Sequence, residues 1–152
     1  GGPLAVRRFL VEKLGLKAEE VFVTRTSGLE TNRLSAVGTS KLIKSALVWL
    51  EANGYKPQDL MPVGGMGAST IAGRFVGEGF SGSVIAKTGT LHETDNGAAN
   101  LAGIAYTKRG PIVFVIYDMA EGRNPAHLRR VQDEFLMGII NELGGPVQVV
   151  SN

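Results

Sequence analysis

Apolar positions along this chain fall into two spacings, and the change from one to the other sketches the fold. From Pro3 to Leu14 the residues Val6, Leu10 and Leu14 recur on one face. That spacing predicts a helix that opens on Pro3 and stops at Gly15, with Leu16 folding back over its end. A short β-prone run, Val21-Phe22-Val23-Thr24, leads into a polar loop from Thr26 to Arg33. A second helix is predicted from near Ser40 to Asn53. Thr39 or Ser40 can cap it, Leu42, Ile43, Ala46, Leu47 and Leu50 form its apolar stripe, and Gly54 ends it. Trp49 sits just beside that stripe and reads as a packing residue. Pro57 and Pro62 bracket a non-helical link, after which a glycine-rich loop, Gly64 to Thr70, feeds a short helix from Thr70 to Val76.

The second half shortens the period. Ser83-Val84-Ile85-Ala86-Lys87-Thr88-Gly89-Thr90 reads as a strand of small and β-branched residues. Asn100 to Thr107 and Ile112 to Tyr117 read as two more, joined through Lys108-Arg109-Gly110-Pro111 as a hairpin. The last of the three is apolar on both faces, which predicts a central strand covered on both sides. Asn124-Pro125 then opens a final helix with Leu128, Val131, Phe135, Ile139 and Leu143 as its buried face and Gly144 as its stop. The fold class is therefore α+β: an antiparallel sheet of at least three consecutive strands, flanked by helices, with the last helix long enough to cover one face.

Composition narrows the function. With 43% hydrophobic residues in 152, the chain can bury the core of one domain. Sixteen basic side chains nearly balance fourteen acidic ones and are scattered without aromatic interleaving, which argues against nucleic acid as a partner. The absence of cysteine excludes disulfides and thiolate metal sites. There is no signal-peptide pattern and no apolar run long enough to span a membrane. His92, Glu93 and Asp95 fit no zinc or calcium spacing and read as a solvated loop. Gly64-Gly65-Met66-Gly67-Ala68-Ser69-Thr70 lacks the Lys-Ser/Thr ending of a phosphate-binding loop, so no cofactor is called for.

The candidate chemistry lies at Lys87-Thr88-Gly89-Thr90. A lysine in an apolar strand must send its charge to water or to a negative partner. Next to a hydroxyl and a glycine, it offers a cation, a donor and bare backbone at one strand end. Such a set can hold a carboxylate while an extended peptide lies alongside. The plainer alternative is an edge strand carrying a lysine against aggregation.

Three segments together resemble a known family. They are Ser27-Gly28-Leu29 with its continuation to Asn32-Arg33-Leu34-Ser35; Met61-Pro62-Val63-Gly64-Gly65 with Arg74-Phe75 downstream; and Lys87-Thr88-Gly89-Thr90-Leu91 followed by Asn100-Leu101-Ala102-Gly103. In this order they resemble the low-molecular-mass class C penicillin-binding proteins, serine-type D-alanyl-D-alanine carboxypeptidases and endopeptidases of peptidoglycan with the penicillin-recognising fold. The likeness runs from about Val21 to Tyr117. It implies an acyl-enzyme mechanism in which a serine, with a lysine three residues later, attacks the peptide carbonyl. It also implies catalytic roles for Lys87 and for Asn32, the latter as the asparagine of a Ser-x-Asn element, and substrate binding by Thr88, Gly89 and Thr90. The implied partners are a stem peptide ending in D-Ala-D-Ala and β-lactams, and the implied location is the periplasm or the extracytoplasmic bacterial envelope.

Two departures qualify what the resemblance implies. No serine or threonine in the chain stands three residues before a lysine. The expected arrangement is thus the C-terminal part of a longer transpeptidase-like domain, associated with the remaining N-terminal half or self-associated. Glu30 stands where the Ser-x-Asn element would have serine, and Arg25 where an acidic residue is usual before Ser-Gly-Leu. A glutamate near Lys87 would oppose a substrate carboxylate. The alternative function is therefore a catalytically degenerate binding protein on the same fold, recognising cell-wall peptide or a protein partner.

Overall fold

The computed structural model describes residues 1–26, 32–91, 98–119 and 124–151. The Ser-Gly-Leu segment through Thr31, and the cluster of His92, Glu93 and Asp95, lie outside the described residues. In chain order the elements are α1 (Gly2–Glu12), a 3₁₀ turn (Ala18–Glu20), β1 (Val21–Phe22), β2 (Arg33–Leu34), α2 (Ala36–Ala52), α3 (Pro57–Leu60), β3 (Val84–Leu91), β4 (Ala98–Thr107), β5 (Gly110–Met119) and α4 (Pro125–Glu142).

The sheet follows from the hairpin chemistry. Two residues, Lys108 and Arg109, turn β4 into β5, and Gly110 takes the positive φ (+110°) the turn needs. All pairings are antiparallel and the order is β3-β4-β5. The central strand among the described residues is therefore β4, not β5 as its apolar pattern suggests. β4 can be central because it is built of small residues. Gly103 lies so close to β3 that a Cβ there would meet the carbonyl oxygen of Ile85. Among the described residues β5 is an edge strand: α4 lies over the sheet on one side and α2 packs on the other, while Tyr117 and Met119 near its end are 42% and 71% exposed.

Val84, Ala86, Leu101, Ala105 and Phe114 share one face and pack against Leu136 and Ile140 of α4, with Ile71, Phe75 and Phe80 closing the core from the side. The buried stripe of α4 runs Leu128, Gln132, Leu136, Ile140. It differs from the sequence reading: Val131 and Phe135 are 43% and 60% exposed. The helix is rotated so that a glutamine, rather than Phe135, enters the core. A smaller core of Leu10, Leu16 and Val21, flanked by Leu34 and Leu42, joins α1, β1, β2 and α2.

Three other boundaries moved. α2 starts at Ala36 because Ser35, not Thr39 or Ser40, is its cap: the Ser35 hydroxyl accepts the Gly38 N–H at 2.9 Å. Thr39 sits inside the helix and bonds the Tyr117 hydroxyl instead. Pro57 opens a four-residue helix in the link that reads as non-helical. Conversely, Thr70 to Val76 forms turns rather than a helix. That segment has to wrap the edge of β3, and Phe75 does so with φ at +56°, a region bulky residues rarely adopt.

Candidate functional site

The outer edge of β3 changes character halfway along. Near its start, Val63 bridges Ile85: Gly64 donates to the Val84 carbonyl at 2.8 Å and the Ala86 N–H donates to Pro62 at 2.9 Å. These bonds show that the even-numbered residues of β3 point their peptide groups away from β4. After Ala86 the covering segment turns into α3, and no strand pairs with the outer edge from Lys87 to Leu91 among the described residues. By the same alternation, the peptide groups of Thr88 and Thr90 face outward there.

The side chains of this stretch alternate too. Lys87 and Gly89 lie on the α2 side, opposite Ala102 and Asn100, while Thr88 and Thr90 lie on the α4 side, opposite Leu101 and Ala99. Lys87 is exposed, and its Nζ donates to the carbonyl of Thr88 at 2.6 Å. The Thr88 hydroxyl donates to Thr70 at 3.1 Å, which ties the strand to the wrapping segment. Asn100 lies beside the bare Cα of Gly89, with its side chain within 3.7 Å of where a Cβ would stand.

Asn100 also opens the strand onto a cleft of about 530 Å³, walled by Asn32, Ser35, Leu91, Asn100, Tyr117 and Met119 together with Glu19 and Glu20. The structure thus brings Asn32 to the same face of the sheet as Lys87 and Gly89. Lys87 itself lies outside the cleft lining. The Asn32 amide is engaged with the chain before it: Oδ1 accepts the N–H groups of Thr24 and Arg25 at 2.9 and 3.1 Å, and Nδ2 donates to the Arg25 carbonyl at 2.7 Å. One wall of the cleft is fixed by a second network. The Lys17 N–H and the Ser35 hydroxyl donate to the Glu20 carboxylate at 3.0 and 2.9 Å, and these bonds hold its pKa below the ordinary glutamate range.

The sequence profile of the D-Ala-D-Ala carboxypeptidase 3 (S13) family matches residues 1–137. The chain belongs to that family. Among solved structures, this S13 chain is similar to the predatory endopeptidase Bd0816 of Bdellovibrio bacteriovorus in complex with the immunity protein Bd3460, at 26% identity and a TM-score of 0.85 over 100% of this chain. The predatory endopeptidase Bd3459 of the same organism, acylated by penicillin G, matches with a TM-score of 0.84 at 24% identity, again over 100% of this chain. This S13 chain spans 40% and 42% of the length of those two proteins. No match was found among the curated proteins.

Sequence reasoning found the Lys87–Thr90 strand and missed how the site is supported. Asn100 was visible as a polar residue opening a strand, but only the Gly89–Asn100 register places it at the edge. Glu20 and Ser35 carried weaker signals, being fifteen residues apart and joined only by folding.

Proposed function

We propose that this chain supplies the substrate-carboxylate-binding edge of a serine-type D-Ala-D-Ala carboxypeptidase or endopeptidase acting on peptidoglycan outside the cytoplasmic membrane. It would do so as the C-terminal part of a longer transpeptidase-like domain whose remaining portion provides the nucleophilic serine. One observation carries the reading: among the described residues, β3 is covered up to Ala86 and open from Lys87 onward. An extended peptide can add there as a further antiparallel strand, using the outward peptide groups of Thr88 and Thr90. Lys87 supplies positive charge for the terminal carboxylate, and Gly89 leaves the sheet face beside Asn100 free of a side chain. Family membership and the penicillin-acylated relative support β-lactams as ligands of the same edge.

Asn32 enters this scheme through the loop it holds. Its bonds fix the backbone of Thr24 and Arg25 beside the cleft, a place from which its remaining amide proton can serve a substrate amide. The test is covalent labelling of the parent protein by a fluorescent penicillin. The expected outcome is labelling that slows by about a hundredfold in Lys87→Ala, the scale on which a preorganised electrostatic group acts. Normal labelling of that variant would remove Lys87 from the site, and no labelling of the unaltered parent would favour a binding protein on the same fold.

A further inference from the structure

The buried face of α4 contains one residue that packing alone does not explain. Gln132 is 1% exposed, in a stripe otherwise made of leucine and isoleucine. An apolar side chain would fill that position without the desolvation cost of an amide, so the glutamine must be repaid by its bonds. Its Nε2 donates to the carbonyl of Ala99 at 2.7 Å, and its Oε1 accepts from Nη2 of Arg74 at 3.1 Å. Arg74 is itself buried, and Nε and Nη2 both reach Oδ1 of Asp133, at 2.8 and 2.7 Å, while Nη2 also donates to the Arg129 carbonyl at 3.3 Å. Its guanidinium lies 5.5 Å from the ring centre of Phe75, the residue with the positive φ.

The two ends of this network lead to the two sides of the open stretch of β3. Ala99 is the cross-strand partner of Thr90. Arg74 belongs to the wrapping segment whose Thr70 accepts the hydroxyl of Thr88. One amide on α4 therefore joins the strand inside the edge to the segment flanking it. Gln132 and Arg74 are 1% and 8% exposed, so neither offers a surface to a ligand lying on the open edge. We infer that Gln132 and Arg74 are positioning residues that set Thr88 and Thr90 for pairing with a substrate strand. The inference rests on the function proposed above. A buried polar network suits this task, because it fixes one register where apolar packing tolerates several. Here both atoms of the Gln132 amide and the Nε and Nη2 of Arg74 are bonded, and Nη1 of Arg74 is buried without a partner among the described residues.

The experiment uses the parent protein and the saturation kinetics of fluorescent-penicillin acylation, which separate half-saturation from the limiting rate. Gln132→Met keeps the volume and loses both bonds. Gln132→Glu can still accept from Arg74 but, as a carboxylate, cannot donate to Ala99. Leu136→Val, one turn further along the same stripe and outside the network, reports what loosening of α4 does by itself. Both Gln132 variants should raise the half-saturating concentration by between about tenfold and about a hundredfold, the scale of a small misplacement, with the limiting rate unchanged. Leu136→Val should lower the urea midpoint and leave half-saturation unmoved. Wild-type half-saturation in either folded Gln132 variant overturns the inference, as does an equal rise in Leu136→Val. Loss of labelling in the unaltered parent, or normal labelling of Lys87→Ala, overturns the functional reading itself and this inference with it.

Discussion

Nζ of Lys87 lies 2.6 Å from the carbonyl oxygen of Thr88, one of the two residues whose peptide groups face the open edge of β3. The ammonium therefore marks the point at which a paired edge becomes an unpaired one. A carboxylate bound there would accept the same protons and release the Thr88 carbonyl to an incoming N–H. In this arrangement charge recognition and strand pairing are coupled through one side chain.

The edge itself can be tested without touching Lys87. Thr90→Pro removes an N–H that points away from β4, so the β3–β4 ladder keeps its bonds, and proline is tolerated on edge strands. We expect the variant of the parent protein to fold, with a urea midpoint close to the unaltered one. Its penicillin acylation should slow by about tenfold, as one main-chain bond to the ligand is worth on the order of 1 kcal/mol. An unchanged acylation rate would mean that Thr90 does not pair with the ligand.

Gly103 makes a prediction about stability. Its Cα faces Ala86 across β3 and β4, where a Cβ would collide with backbone that cannot swing aside. Gly103→Ala should lower stability by about 1–3 kcal/mol, the usual cost of overpacking, read as a reduced urea midpoint. Gly138 on α4 has open space at its Cβ position, so Gly138→Ala should be neutral or slightly stabilising in the same assay.

Ser35 has two roles that acid separates. It caps α2 through Gly38 and donates to Glu20, whose carboxylate is held low first by the Lys17 N–H and then by Ser35. A depressed carboxylate pKa stabilises the fold above the unfolded value of about 4.3 and loses that contribution as pH falls through the lower folded value. The difference in melting temperature between the unaltered protein and Glu20→Gln should thus be present at neutral pH and shrink in acid. Ser35→Ala should cost about 1 kcal/mol for the lost cap at either pH. A Glu20→Gln difference that persists unchanged below the folded pKa would contradict the assignment.

Exposed apolar groups lead to a last prediction. Trp49 stacks on Tyr55 with ring centres 6.0 Å apart, yet it is 59% exposed, and Phe9 and Leu60 share a groove with it. Expressed alone, the 152-residue chain should self-associate or bind an apolar dye, as measured by light scattering and dye fluorescence. A monodisperse monomer that ignores the dye would argue that these residues need no cover.

The sequence by itself determined most of what is local. Pro125 after Asn124, the two-residue turn at Lys108 and Arg109, Gly15 behind α1 and the β-branched run before Lys87 each act over a few residues, and each appears where its chemistry places it. The motif at Lys87 was legible for the same reason: a charge in an apolar strand conflicts with its surroundings and so announces itself. Tertiary structure decided the rest. Whether Phe135 or Gln132 faces inward depends on a rotation of α4 that favours bonds to Arg74 and Ala99, residues 58 and 33 positions away. Among the described residues β4 rather than β5 is central, with Gly103 letting β3 approach closely, a cross-strand property that an apolar count along one strand does not register. Ser35 caps α2 through a local bond from Gly38, and folding adds Glu20 as the acceptor of its hydroxyl. Among the described residues the edge is open after Ala86 because Pro62–Gly64 covers the strand only that far, which no spacing within β3 records.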